Sequence, residues 1–108
     1  MMDAQSIVVL ITAPSRDVGR QIARALLEQH LAACVNMIGP ISSLYSWEGQ
    51  IQDDEEVLLV VKSRAELFEG HLVPVVQAVH PYDVPEIIAL PIQMGSQNYL
   101  DWIAQVTR

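Results

Sequence analysis

Trp47-Glu48-Gly49-Gln50-Ile51-Gln52-Asp53-Asp54-Glu55-Glu56-Val57-Leu58-Leu59-Val60-Val61-Lys62 lies near the middle of the chain and sets its architecture. Gly49 suits a hairpin turn, because glycine adopts the backbone angles a tight reversal needs. The strand returning from that turn has two characters. Asp53 to Glu56 is charged at every position. Neighbouring strand residues point to opposite faces, so these four cannot chelate one ion, and the run reads as a solvated hairpin arm that deters edge pairing. Val57 to Val61 is apolar at every position and expects cover on both faces, a helix on one and something else on the other.

Working outward, Ala33 to Tyr45 is β-rich but interrupted by Gly39-Pro40, which predicts a bulge or bend because proline cannot donate to a ladder. On the other side, Ser63-Arg64-Ala65-Glu66 fits a capping box that opens a second helix. Phe68, Leu72, Val75, Val76 and Val79 form its apolar stripe. Pro74 falls inside the stripe and predicts a kink, since its ring clashes with the carbonyl of Gly70. His80-Pro81-Tyr82-Asp83-Val84-Pro85-Glu86 is an extended segment fixed by two prolines. Ile87 to Ile92 reads as a fourth strand, with Pro91 marking an edge or an end.

Near the start, Ile7 to Ile11 is a buried strand. Ser15 caps a helix with Asp17 in its first turn and Val18, Ile22, Ala25 and Leu26 on one face, ending near His30. A last helix opens near Ser96 and carries Tyr99, Trp102, Ile103 and Val106. The order β-α-β-β-α-β plus a terminal helix predicts an α+β, ferredoxin-like sandwich, one domain over residues 1–108.

Composition adds a second constraint. Of 108 residues, 51% are apolar and only 18% charged, against ~25% charged in an average soluble domain. The surplus of apolar side chains needs an assembly or a membrane. No run approaches the ~18 uninterrupted apolar residues of a membrane helix, so self-association is expected. Thirteen acids against six bases give a net charge of −7, which argues against nucleic acid and anionic membranes as partners. The lone Cys34 permits no intrachain disulfide, and Met1-Met2-Asp3-Ala4-Gln5 lacks the basic region of a standard export signal, so a reducing cytoplasm is expected. No Walker loop, GxGxxG or CxxC is present, and Ser42, Ser43 and Ser46 have no histidine near them in sequence. Enzymatic activity is not expected.

Four segments, in order and at compatible spacing, resemble the CutA divalent-cation tolerance family: Ala32-Ala33-Cys34-Val35-Asn36, Tyr45-Ser46-Trp47-Glu48-Gly49, Glu55-Glu56-Val57-Leu58-Leu59 running to Lys62, and His80 to Ile87. The resemblance spans about Ile7 to Trp102. It implies a ferredoxin-like fold, a tight homotrimer with packed sheets, and a link to divalent-metal tolerance, copper above all. It implies no reaction. Asp83 stands where glutamate is usual, and Cys34 has no companion cysteine.

Two sets of candidate residues follow. His80, Asp83 and Glu86 offer nitrogen and oxygen donors that suit Cu²⁺ or another divalent cation. On an extended segment residues 80 and 86 share a face while 83 points away. Cys34 would join them only with ligands from another subunit; its plainer role is a small buried hydrophobe. Lys62, Tyr82, Trp47 and Glu86 form the second set, lining an intersubunit cleft whose lysine suits an organic anion. The plainer roles are packing for both aromatics and a local hydrogen bond at the helix end for His80. No organic cofactor is expected. The alternatives to metal homeostasis are a trimeric effector sensor resembling the nitrogen-regulatory signal proteins and a structural scaffold.

Overall fold

The molecule is described by a computed structural model covering residues 5–108. β1 (Ser6–Ala13), α1 (Arg16–Glu28), β2 (Cys34–Trp47), β3 (Gln50–Arg64), α2 (Val73–Val79), β4 (Ile87–Pro91) and α3 (Gln97–Val106) follow one another in the expected order. The strands form one antiparallel sheet in the order β2-β3-β1-β4.

The hairpin forms for a local reason. Glu48 and Gly49 both have positive φ, 51° and 76°, and a two-residue turn of that kind matches the twist of the strands it joins. β3 then pairs with β1 from Val57 to Arg64, and only this half of it belongs to the four-stranded sheet. The preceding half and its partner in β2 project as a two-stranded arm, and the molecule is 49 Å long but only 25 and 22 Å across.

One sheet face holds the core. Val9 opposite Val61 and Ile11 opposite Leu59 are fully buried there beneath Ile22 and Leu26 of α1. The Ser15 hydroxyl accepts the Val18 N–H at 3.2 Å and caps α1 as expected. At the far end His30 takes a left-handed conformation, φ 58°, while the N–H groups of His30 and Leu31 donate to the carbonyls of Leu27 and Leu26. That double bond closes the helix and turns Leu31 into the core.

Two local expectations fail around the second helix. Ser63 is no cap: its hydroxyl is fully buried and donates to the Leu31 carbonyl at 2.6 Å, while Glu66 pairs with Arg64. β3 therefore runs through Ser63, and the chain enters the helix by a 3₁₀ turn, Ala65–Leu67. Nor does Pro74 kink a continuous helix. A π turn over Phe68–Leu72 precedes it and leaves the ring in the first turn of α2, where a missing N–H costs least. The stripe itself holds, with Leu72 and Val76 fully buried and Phe68, Val75 and Val79 packed against the core.

The expected interruption in β2 is real: the register shifts between Ile38 and Ile41, across a cis Gly39-Pro40 bond. Gly39 lies so close to Val57 that a Cβ there would sit 2.7 Å from Val57 Cγ1.

The second sheet face is only partly covered. α3 closes one end of it through the fully buried Ile103 and through Thr107, whose hydroxyl accepts from Arg64 Nε at 2.7 Å. Tyr99, Trp102 and Val106 stay exposed. Beyond α3 the face is apolar and open: Ile38, Ile88 and Leu90 are 52%, 50% and 51% exposed.

Candidate functional site

Where the arm leaves the sheet, a cleft of about 600 Å³ opens between the arm and residues 80–86. The pairings Ile41 to Glu56, Ser43 to Asp54, Tyr45 to Gln52 and Trp47 to Gln50 put Ser43, Tyr45, Trp47 and Glu56 on one face of the hairpin, since residues opposite each other in register share a face. Thr12 at the end of β1 forms the floor, and Tyr82, Asp83, Val84 and Glu86 form the other wall.

The second wall is anchored by His80. Its backbone N–H donates to the Val76 carbonyl as α2 ends. Nε2 lies 2.7 Å from the Thr12 carbonyl, and Nδ1 lies 3.2 Å from the Tyr82 backbone nitrogen. A carbonyl can only accept and an N–H can only donate, so Nε2 carries the hydrogen and Nδ1 is the acceptor. The Tyr82 ring packs on the imidazole at 4.7 Å between centroids, and its hydroxyl donates to Glu56 Oε2 at 2.8 Å. The chain from Thr12 through His80 and Tyr82 to Glu56 thus ties the loop to the base of the arm. Burial first, then the Glu56 bond, raise the Tyr82 phenol above its ordinary value of 10.0. The Tyr45 phenol is also raised, chiefly by its bond to Asp54.

The cleft gathers one sign of charge. Glu56, Asp83 and Glu86 line it, and no lysine or arginine does. Glu56 is only 8% exposed. The sole ion pair among the described residues is Arg64 with Glu66, so the Glu56 carboxylate has no ionic partner there.

The expected residues divide between two places. Trp47, Tyr82 and Glu86 come together in the cleft, with Asp83 beside them. Lys62 of the same chain does not join them. It pairs with Cys34 in register, and its ammonium bonds the Asn36 side chain. Lys62 aligns with Val8 of β1, four residues from Thr12, which is ~13 Å along a strand. Cys34 is half-buried at that same far end, with its thiol 3.8 Å from Asn36 Oδ1. Its neighbour Tyr99 has a phenol raised by burial and then by Cys34. Among the described residues no three His, Cys, Asp or Glu side chains converge on a point where they could hold a metal ion. His80 spends both ring nitrogens inside the protein.

Glu56 is the residue that sequence reasoning passed over, as one of four acids in a solvated run. A signal was present: it shares strand parity with Leu58 and Val60, and so lies on a sheet face at the margin of the buried segment. Tyr45 and Thr12 carried no comparable signal.

The chain matches the model of the CutA1 divalent ion tolerance protein family over residues 7–106. It is 51% identical over 100 residues to the divalent-cation tolerance protein CutA of Thermus thermophilus, covering 93% of this chain and 96% of that one. The Thermus structure superposes with a TM-score of 0.92, over 95% of this chain and 99% of its own. The chloroplastic CutA protein of Arabidopsis thaliana is 50% identical over 103 residues, and the match spans 95% of this chain but 56% of the plant protein. A structure described as the periplasmic divalent cation tolerance protein CutA of Archaeoglobus fulgidus is 42% identical with a TM-score of 0.91, covering 95% of this chain and 99% of that one. The chain belongs to the CutA1 divalent ion tolerance protein family.

Proposed function

We propose that this chain is a ferredoxin-like, homotrimeric divalent-cation tolerance protein that binds Cu²⁺ weakly, with ligands drawn from more than one subunit. The observation that carries the reading is the open sheet face with Ile38, Ile88 and Leu90 half exposed. Burying what remains of these three side chains contributes ~2–4.5 kcal/mol per chain, taking half of the ~1.5–3 kcal/mol for each complete burial. Such a face on a chain with 51% apolar residues favours copies of itself as the cover.

The metal reading follows from the donors and their separation. Cys34, Asp83 and Glu86 provide a thiol and two carboxylates, but one chain holds them apart. An ion that uses them bridges chains. His80 joins only if its bond from the Tyr82 N–H opens. Net charge of −7 favours cations over nucleic acid or anionic lipid as partners. Family membership supports a tolerance role and brings no enzymatic reaction with it. No helix among the described residues is long and apolar enough to cross a membrane. The single cysteine fits the reducing cytoplasm, in contrast with the location named for the Archaeoglobus relative; cell fractionation decides between the two.

Calorimetric titration of the purified protein with Cu²⁺ is the test. Relative to wild type, Cys34→Ala and the Asp83→Asn/Glu86→Gln pair are each expected to weaken binding. Absence of any Cu²⁺ binding, or binding untouched by either variant, contradicts the reading.

A further inference from the structure

We infer that the homotrimer proposed above, on which this contact depends, closes head to tail: the α3 ridge of Tyr99, Trp102 and Val106 seats against Ile88 and Leu90 at the β4 edge of the next chain. The first observation is the ridge. Tyr99, Trp102 and Val106 recur at helical spacing and are 40%, 38% and 36% exposed, with the Tyr99 and Trp102 rings 5.5 Å apart. The one acid of α3, Asp101, accepts from Gln97 at 2.8 Å and leaves the ridge uncharged. Nor can the helix roll to bury the ridge. Ile103 is fully buried under it, Arg64 Nε donates to the Thr107 hydroxyl at 2.7 Å, and the Arg108 N–H donates to the His30 carbonyl at 3.0 Å. A contiguous apolar stripe fixed outward in this way marks a contact surface.

The second observation is the strand register. Leu90, Val8, Lys62 and Cys34 stand in one row across the sheet, from the β4 edge to the β2 edge. Tyr99 lies against Cys34 at the β2 end of that row. Leu90 ends the row on the other side, three strand spacings or ~14 Å away. The two apolar patches therefore cannot meet within one chain. A copy turned about an axis along the strands keeps every row at its height, so it brings its own Leu90 and Ile88 to the level of Tyr99 and Trp102. The third observation is that the patches differ. Two unlike surfaces at opposite edges make a heterologous contact, in which each chain gives one patch and receives the other, and a rotation that closes yields a ring. Two sheets stacked face to face would instead meet α3 first, because it stands on one end of that face and a helix is about 10 Å across.

Tryptophan emission tests it, because the chain has two tryptophans and Trp47→Phe leaves Trp102 alone. In the assembled Trp47→Phe protein Trp102 should emit to the blue and resist acrylamide. Adding Ile88→Asp, which breaks the contact from the other side, should shift that emission to the red and raise quenching severalfold. Trp102→Asp and Leu90→Asp should each give single chains by light scattering, with the far-ultraviolet circular dichroism of wild type. Mixed, the two variants should form a two-chain species, since one keeps the intact edge and the other the intact ridge. Suppose that wild type is a three-chain particle. Then a Trp102→Asp variant that still assembles, a Trp102 emission that stays put when Ile88→Asp takes the particle apart, or a mixture that stays as single chains overturns the head-to-tail contact alone. A wild-type mass of 12.0 kDa overturns the homotrimer and the contact together.

Discussion

Gly39→Ala is the substitution whose effect the structure specifies most closely. A Cβ at this position lies 2.7 Å from Val57 Cγ1, 3.2 Å from Val57 Cβ and 3.3 Å from Val57 Cα. Comfortable carbon contacts are ~3.5–4.0 Å, so the closest pair is short by about 1 Å. Val57 cannot swing aside. It is β-branched, buried, and held in the ladder opposite Ala13. Overpacking of this kind costs about 1–3 kcal/mol. At ~4–8 °C per kcal/mol for a domain near 100 residues, Tm should fall by about 5–20 °C. Circular dichroism melts at one fixed protein concentration measure it, because association adds a concentration-dependent term. Val57→Ala removes Cγ1, so the alanine at 39 should cost at least ~1 kcal/mol less in that background. A Gly39→Ala melt within about 1 °C of wild type, or the same loss with and without Val57→Ala, refutes the close-contact account.

Three further outcomes follow from single residues. His30→Gly should raise stability by about 0.5 kcal/mol, because relief of the left-handed strain at φ 58° outweighs glycine's added freedom when unfolded; a lower denaturation midpoint contradicts this. The Tyr82 phenol is raised in the folded protein, so its contribution is complete below the ordinary value of 10.0 and is lost as pH climbs toward the folded value, because the unfolded chain releases its proton first. Denaturation midpoints should therefore fall above pH ~10, and fall less in Tyr82→Phe; identical alkaline profiles contradict it. Ile88→Asp places a carboxylate on the open sheet face, where burial of an unpaired charge costs several kcal/mol, and should yield folded single chains by size-exclusion light scattering; an unchanged mass contradicts it.

Much of the architecture was legible because it rests on local periodicity. Val57 to Val61 announces a strand covered on both sides, and Ser15 with Val18, Ile22 and Leu26 announces a capped amphipathic helix. The failures share a cause. Ser63 and Glu66 have the spacing of a capping box, but the Ser63 hydroxyl is claimed by the Leu31 carbonyl, 32 residues away in the chain. Pro74 is accommodated by a widened turn that no spacing rule describes. The cleft was half legible. Trp47, Tyr82 and Glu86 meet within one chain, whereas Lys62 of that chain lies at the other end of the sheet, a separation set by a strand register that composition does not carry. Glu56 was overlooked because a run of four acids looks uniform; its parity with Leu58 and Val60 hinted at its face, and the endpoint of β1 pairing and the arrival of Tyr82 set it apart.

The mass of the wild-type particle bears on the central claim most directly. Multi-angle light scattering at micromolar chain concentration should give three times the 12.0 kDa of a single chain, with no lighter species on dilution. A stable particle of 12.0 kDa would mean that water alone covers Ile38, Ile88 and Leu90.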